Sequence, residues 1–136
     1  MLLAVDCGNT NTVFSIWDGD HFVATWRMAT QPQRTADEYY VWLSTLKAFQ
    51  KIERDITDVI VSSTAPRVVS TLRVLAARYF RTRPLVVGRE DCALPVAVRV
   101  DPGTQVGPDR LVNTVAGHDR YGGDLIRHRL VVVVCR

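Results

Sequence analysis

The strongest constraint on the fold is the start of the chain, where three strand-like segments follow one another with only short polar breaks between them. Residues 2 to 5 are apolar and run into Asp6-Cys7-Gly8-Asn9-Thr10, a strand followed by a turn. Val13 to Trp17 alternates like a half-buried strand and meets Asp18-Gly19, a hairpin signal. His21 to Met28 keeps the period of two, setting Phe22, Ala24 and Trp26 opposite Val23, Thr25 and Arg27. Breaks this short leave no room for a crossover, so the three strands are expected to be antiparallel.

The period then changes. Thr35-Ala36-Asp37-Glu38 has capping-box spacing and predicts a helix with Tyr39, Trp42, Leu43, Leu46 and Phe49 on its apolar face. Asp58 to Ser62 reads as a buried strand. Pro66 opens a second helix carrying Val69, Leu72, Leu75, Ala76 and Tyr79, and Pro84 to Gly88 is a further short strand. Strands followed by alternating helix and strand predict an α/β layered domain rather than a bundle or a β-sandwich. Residues 89 to 106 are loop-like. Gly107-Pro108 launches a third helix with Leu111, Val112, Val115 and Ala116, closed by Gly122-Gly123, and Leu130 to Val134 begins another strand. The expected division is residues 1–106 as one domain and residues 107–136 as a site helix with the start of a second.

Composition narrows the class of function. Of 136 residues, 47% are hydrophobic and 23% charged, which suits a packed globular domain and not a disordered chain. The net charge of +3 comes from arginines scattered along the chain, without the basic stripe or motif that nucleic-acid binding requires, so no nucleic-acid partner is expected. Cys7, Cys92 and Cys135 are odd in number and share no metal-type spacing, which fits a reducing cytoplasm. With no basic leader and no apolar run near the roughly 20 residues that span a bilayer, neither export nor membrane insertion is expected.

Two motifs carry chemistry. In Asp6-Cys7-Gly8-Asn9-Thr10-Asn11-Thr12, Gly8 has no Cβ to keep a phosphate from the backbone amides, while Asn9, Thr10, Asn11 and Thr12 add side-chain donors. Hydrogen bonds to charged groups are worth roughly 1.5–3 kcal/mol each, so two or three position a phosphoryl group. Asp6 beside a polyphosphate makes sense if it holds Mg²⁺, through water. Every residue in this stretch also favours turns, so a plain hairpin remains the alternative. The loop matches neither the P-loop nor the dinucleotide glycine pattern. In Gly107-Pro108-Asp109-Arg110, Asp109 falls in the first turn of a helix, where it can act as a general base toward a substrate hydroxyl, and Arg110 can pair with a carboxylate. Simple capping with a surface ion pair is the alternative.

Taken together and in order, these motifs resemble those of type III pantothenate kinases. The matching residues are Asp6-x-Gly8-Asn9-Thr10, Asp37-Glu38-Tyr39, Ser62-Ser63-x-x-Pro66, and Pro102 leading to Val106-Gly107-x-Asp109-Arg110-x-x-Asn113. The resemblance implies a ribonuclease H-like domain of the actin-like ATPase, sugar kinase and Hsp70 superfamily, with ATP between two related domains. It implies that Asp6, Gly8, Asn9, Thr10, Asn11 and Thr12 face ATP and Mg²⁺, that Gly107, Asp109 and Arg110 contact pantothenate, and that Asp109 deprotonates the attacking hydroxyl. It further implies 4′-phosphopantothenate as product in the first step of coenzyme A biosynthesis, a monovalent cation (K⁺ or NH₄⁺), a homodimer and a cytoplasmic location.

The pattern is broken in two places. Where the family carries a second Asp-x-Gly-Thr phosphate motif, residues 127–136 read Arg-His-Arg-Leu-Val-Val-Val-Val-Cys-Arg, so the expected active site is incomplete and the chain by itself is expected to be inactive. Codons for Arg127 to Arg129 read one base later can spell Val-Ile-Asp, which suggests a frameshift; a divergent tail is the alternative. Several family members have an aromatic residue shortly before the Gly-x-Asp-Arg motif, whereas Arg99 and Val100 stand here. Two other functions fit the residues less well: a non-catalytic dimerising or regulatory protein, and an actin-like kinase for another small hydroxyl substrate.

Overall fold

The structure is a computed structural model that describes residues 1–104, 106–122, 124–128 and 131–135. Its elements run β1 (Leu2–Cys7), β2 (Asn11–Trp17), β3 (Phe22–Ala29), α1 (Ala36–Phe49), β4 (Asp58–Ser63), α2 (Pro66–Tyr79), β5 (Leu85–Val86), a single 3₁₀ turn at Glu90–Cys92, α3 (Pro108–Tyr121), β6 (Asp124–His128) and β7 (Val131–Cys135). The first five strands form one mixed sheet in the order β3-β2-β1-β4-β5. Short turns make β1, β2 and β3 antiparallel, as expected, while the helical crossovers bring β4 parallel to β1 and β5 parallel to β4. β6 and β7 pair separately as an antiparallel hairpin. The α/β expectation holds.

Because side chains alternate along a strand, the sheet has two distinct faces. Leu3, Val5 and Cys7, with Thr12, Phe14, Ile16, Val59 and Val61, turn to the face covered by α1 and α2. There they meet Ala36, Tyr39 and Leu43 of α1 and Val68, Val69, Leu72, Leu75 and Ala76 of α2, forming one buried cluster. Phe14 anchors α1, its ring centroid 5.5 Å from Tyr39 and 5.3 Å from Trp42 in an edge-on contact. The opposite face, carrying Ala4, Asp6, Val13, Ser15, Ile60 and Ser62, is where α3 lies.

The helix starts follow the predicted signals. Thr35 Oγ1 accepts from the Glu38 amide at 3.3 Å, and the Glu38 carboxylate accepts from the Thr35 amide at 2.7 Å, a complete capping box. Pro66 and Pro108 each stand in the first turn of their helices. Ahead of α2, where Ala65 has no side chain to cap with, Ser63 Oγ accepts from the Ala65 amide at 3.1 Å.

Three details differ from expectation. Phe22 does not share the face of Ala24 and Trp26, because the register slips between Ile16 and Trp17 and sets Phe22 opposite Trp17. Phe22 is 59% exposed and packs edge-on against Trp17 at 5.0 Å. Phe49, placed by periodicity on the apolar face of α1, is 88% exposed because it lies on the last turn, beyond the contacts made by Ala36, Tyr39 and Leu43. The last strand pairs with an unanticipated neighbour, β6. Its expected first residue Leu130, together with Arg129, Arg136 and the helix-ending Gly123, lies outside the described residues.

Candidate functional site

β1 and β4 are parallel, so their C-terminal ends come out on the same edge of the sheet, and the register sets Asp6 beside Ser62 and Cys7 beside Ser63. In α/β sheets this edge is where ligands collect. The loop from Gly8 to Thr10 leaves β1 there. Gly8 N donates to Asn11 O at 3.0 Å, which closes the turn. From the end of β3, Thr30 N donates to Thr10 O at 2.9 Å and Thr30 Oγ1 donates to Gly8 O at 2.8 Å. Two loop carbonyls are thus turned inward onto one residue. Among the described residues, none accepts from the amides of Asn9 or Thr10, so these two N–H groups, rather than that of Gly8, are available to an anion.

Asn9, Thr10 and Asn11 are exposed, as expected of donors to a ligand. Thr12 is different. It is fully buried, with its hydroxyl 2.9 Å from that of Thr30 and 3.3 Å from Cys7 Sγ, so its place is beneath the loop. Tyr39 lies under the same corner, and burial, with Cys7 nearby, pushes its phenol up. The Arg34 guanidinium stands 5.7 Å over the Tyr39 ring and donates to Met28 Sδ at 2.9 Å.

The second motif is carried by α3. Gly107 is its N-cap residue, at φ −62° and ψ 144°, and Pro108 and Asp109 begin the first turn. A Cβ on Gly107 would collide with the Asp109 carboxylate, which therefore folds back over the helix start into space that glycine alone leaves open. Asn113, one turn on, donates from Nδ2 to Asp109 O at 2.7 Å. Arg110 is exposed.

The two motifs meet. Asp6 and Asp109 line a single cavity of about 230 Å³ between the second face of the sheet and α3, together with Ser15, Ser62, Phe22, Asn113 and apolar neighbours from β1, β2, β4 and α3. Gly8, Asn9, Thr10, Asn11 and Arg110 are not among its lining residues; the loop continues outward from its Asp6 end. A larger groove of about 940 Å³, lined by Tyr40, Lys47, Lys51, Phe80 and Arg81, lies beside the start of β4, at the other end of the parallel strands, and contains none of the expected site residues.

Carboxylates brought close together repel each other unless a cation or a hydrogen-bond donor lies between them. Among the described residues, no three His, Cys, Asp or Glu side chains gather into a metal cluster. A cation held here would therefore take few protein ligands. That suits Mg²⁺, which keeps waters and shares phosphate oxygens with one or two carboxylates, and Asp6 provides such a carboxylate.

Three side chains at the site were given no role by the sequence, although Ser62 and Asn113 stand in the motifs quoted above. Thr30 is distant in sequence and gave no signal of its own. Asn113 follows Asp109 by four residues and so shares its helix face. Ser62 is in phase with Ile60 on β4 and in register with Asp6, and its Oγ is buried without a hydrogen-bond partner among the described residues.

Comparison with known proteins bears on the whole chain. The model of the type III pantothenate kinase family matches residues 2–135. Curated relatives carrying that name include proteins of Roseobacter denitrificans, 76% identical over 126 residues, of Ruegeria sp. TM1040, 71% identical, and of Paracoccus denitrificans, 67% identical. Each match covers 93% of this chain and 48–49% of the relative. The chain spans about half the length of the curated relatives it matches.

Proposed function

The chain belongs to the type III pantothenate kinase family, and we propose that it supplies the phosphate-gripping loop and the acceptor-activating helix for ATP-dependent phosphorylation of pantothenate to 4′-phosphopantothenate, the first step of coenzyme A biosynthesis. The family has the actin-like, ribonuclease H-like fold, of which the mixed sheet and its helices are the expression here. The observation that carries the proposal is the shared cavity: Asp6, next to the loop, and Asp109, at a helix tip, open onto one space.

In this reading the amides of Asn9 and Thr10, with the side chains of Asn9, Thr10 and Asn11, hold the phosphates, and Gly8 keeps the approach clear. Thr12 acts from below, holding the loop through Thr30. Asp6 would hold magnesium, through water, and the ion would supply positive charge to offset that of the phosphate oxygens. Gly107 and Arg110 bind pantothenate, Arg110 by pairing with its carboxylate. Asp109 accepts the proton of the attacking hydroxyl as its oxygen bonds to the γ-phosphorus and the bond to the ADP oxygen breaks. Positioning and charge carry most of such a reaction, and a general base contributes about 10²- to 10⁴-fold.

The same reading divides the chain into residues 1–106, with the loop, and residues 107–136, with the acceptor helix. It includes a monovalent cation, K⁺ or NH₄⁺, a homodimer and a cytoplasmic location.

The test is direct. The purified chain, given Mg·ATP and labelled pantothenate, is assayed for 4′-phosphopantothenate, with Asp109→Asn in parallel. Turnover that falls by about 10² or more in the variant while its circular dichroism stays native supports the base assignment. Equal, measurable turnover in both proteins rejects it, and no turnover in the wild-type protein rejects catalysis by this chain alone.

A further inference from the structure

Of the polar side chains on the shared cavity that the proposed chemistry leaves unused, Ser15 bonds to Thr25 and Asn113 to Asp109 O, whereas the Ser62 hydroxyl has no such partner among the described residues. It is nine-tenths buried, its oxygen is almost closed to water, and among the described residues it has no hydrogen-bond partner. Buried hydroxyls are normally paired, and one that is not carries a desolvation cost without return. Among the described residues, nothing in the fold uses a hydroxyl there. Val59 and Val61 face the core, while Ile60 and Ser62 face the cavity, so an apolar residue at 62 would continue the pattern of its strand.

Its position is informative. Ser62 stands in register with Asp6 on the neighbouring parallel strand, on the same face of the sheet, and Asp109 lines the same cavity from α3. A group that spans the cavity between Asp6 and Asp109 shares that space with Ser62. The two carboxylates only accept hydrogen bonds when ionised, whereas a serine hydroxyl also donates. An attacking alcohol that gives its proton to a carboxylate still has oxygen lone pairs to be aligned, and a donor beside it fixes their direction.

We propose that Ser62 binds the phosphoryl acceptor, donating its hydroxyl hydrogen to the oxygen of the alcohol that Asp109 deprotonates. This rests on the phosphotransfer reading and adds to it a residue that orients the nucleophile.

The experiment compares the wild-type chain with Ser62→Ala by calorimetric titration of pantothenate in the presence of Mg²⁺ and a non-hydrolysable ATP analogue, by titration of the analogue alone, and by thermal unfolding without ligand. The expected result is pantothenate affinity about tenfold weaker in the variant, unchanged affinity for the nucleotide analogue, and an unliganded Tm equal to or above wild type, because an unpaired buried hydroxyl has been removed. Equal pantothenate affinity overturns the inference, as does a weakened affinity for the analogue alone. A marked fall in unliganded Tm also overturns it, since the hydroxyl then serves the fold. A wild-type chain that binds neither ligand overturns the phosphotransfer reading and this inference with it.

Discussion

A Cβ placed on Gly107 collides with the Asp109 carboxylate, whereas one placed on Gly8 meets only Asn11 O at 3.4 Å, an ordinary contact. Neither residue has a backbone conformation that excludes alanine, so the two glycines serve different ends. Gly107 makes room for a neighbouring side chain, and Gly8 leaves open a surface that the protein itself does not fill. Gly107→Ala is therefore expected to fold normally but displace the Asp109 carboxylate, lowering pantothenate phosphorylation by about 10²-fold, the usual effect of a misplacement near 1 Å. Gly8→Ala is expected to keep its Tm and lose nucleotide affinity instead. Steady-state kinetics with each substrate varied in turn checks both, and a Gly107→Ala enzyme with wild-type kcat refutes the argument. At this scale residue type alone singled out Asp6 and Asp109 as candidates, and the fold sets both on one cavity. Residue type said little where the fold decides: Thr12 reads as a donor like its neighbours, yet β2 points it inward, and Thr30 reaches the loop only through the pairing of β2 with β3.

The start of α1 is tied to the end of α2 as well as capped. Asp37 accepts from the Tyr79 hydroxyl and, at 2.8 Å, from Arg78 Nη1, while Tyr79 stacks on Tyr40 with ring centroids 3.9 Å apart. The Tyr79 hydrogen bond first, and then Arg78, hold the Asp37 carboxyl below its ordinary value of 3.8. A carboxylate with a depressed folded pKa stabilises the native state fully above its unfolded value, and that contribution is lost as the pH falls through the folded value. Asp37→Asn should thus lower the Tm at neutral pH, and the gap to wild type should close on acidification below about pH 4. A gap that is constant down to acid-induced unfolding would rule the clasp out. The group is exposed, so the effect is small and shrinks with added salt. Thr35→Ala, which removes the cap, should cost about 1 kcal/mol by denaturant titration. Elements announced by local chemistry, such as this capping box and the prolines at the starts of α2 and α3, were legible in the sequence. The slip between Ile16 and Trp17 that turns Phe22 toward the cavity was not, because a bulge keeps the same residues and changes only their partners.

In the molecule as a whole, one face of the sheet is sealed and the other is only partly covered. α1 and α2 contribute eight buried residues to the core, whereas α3 buries Gly117 and leaves Leu111, Val112 and Val115 partly exposed. The connection to α3 also carries half-exposed Val98 and Val100, both 48% accessible. This asymmetry is why the meeting of Asp6 with Asp109 could not be derived from sequence alone: residues 89 to 106 have no periodicity to say which face of the sheet α3 will cross. It also has a dynamic consequence. A helix held by little buried apolar surface opens at lower free energy than the core and exchanges its amide hydrogens sooner. In the unliganded chain, amides in the middle of α3 should exchange at least about tenfold faster than those of β1, β4 and α2, as the proposed division at residue 106 requires. If α3 carries the acceptor site, pantothenate with a nucleotide analogue should slow exchange in its first two turns while leaving α2 unchanged, because a ligand adds stability only to the state that holds it. Uniform protection across α3 and the core would mean that the chain unfolds as one unit. Slowing of α2 with none in α3 would place the acceptor elsewhere.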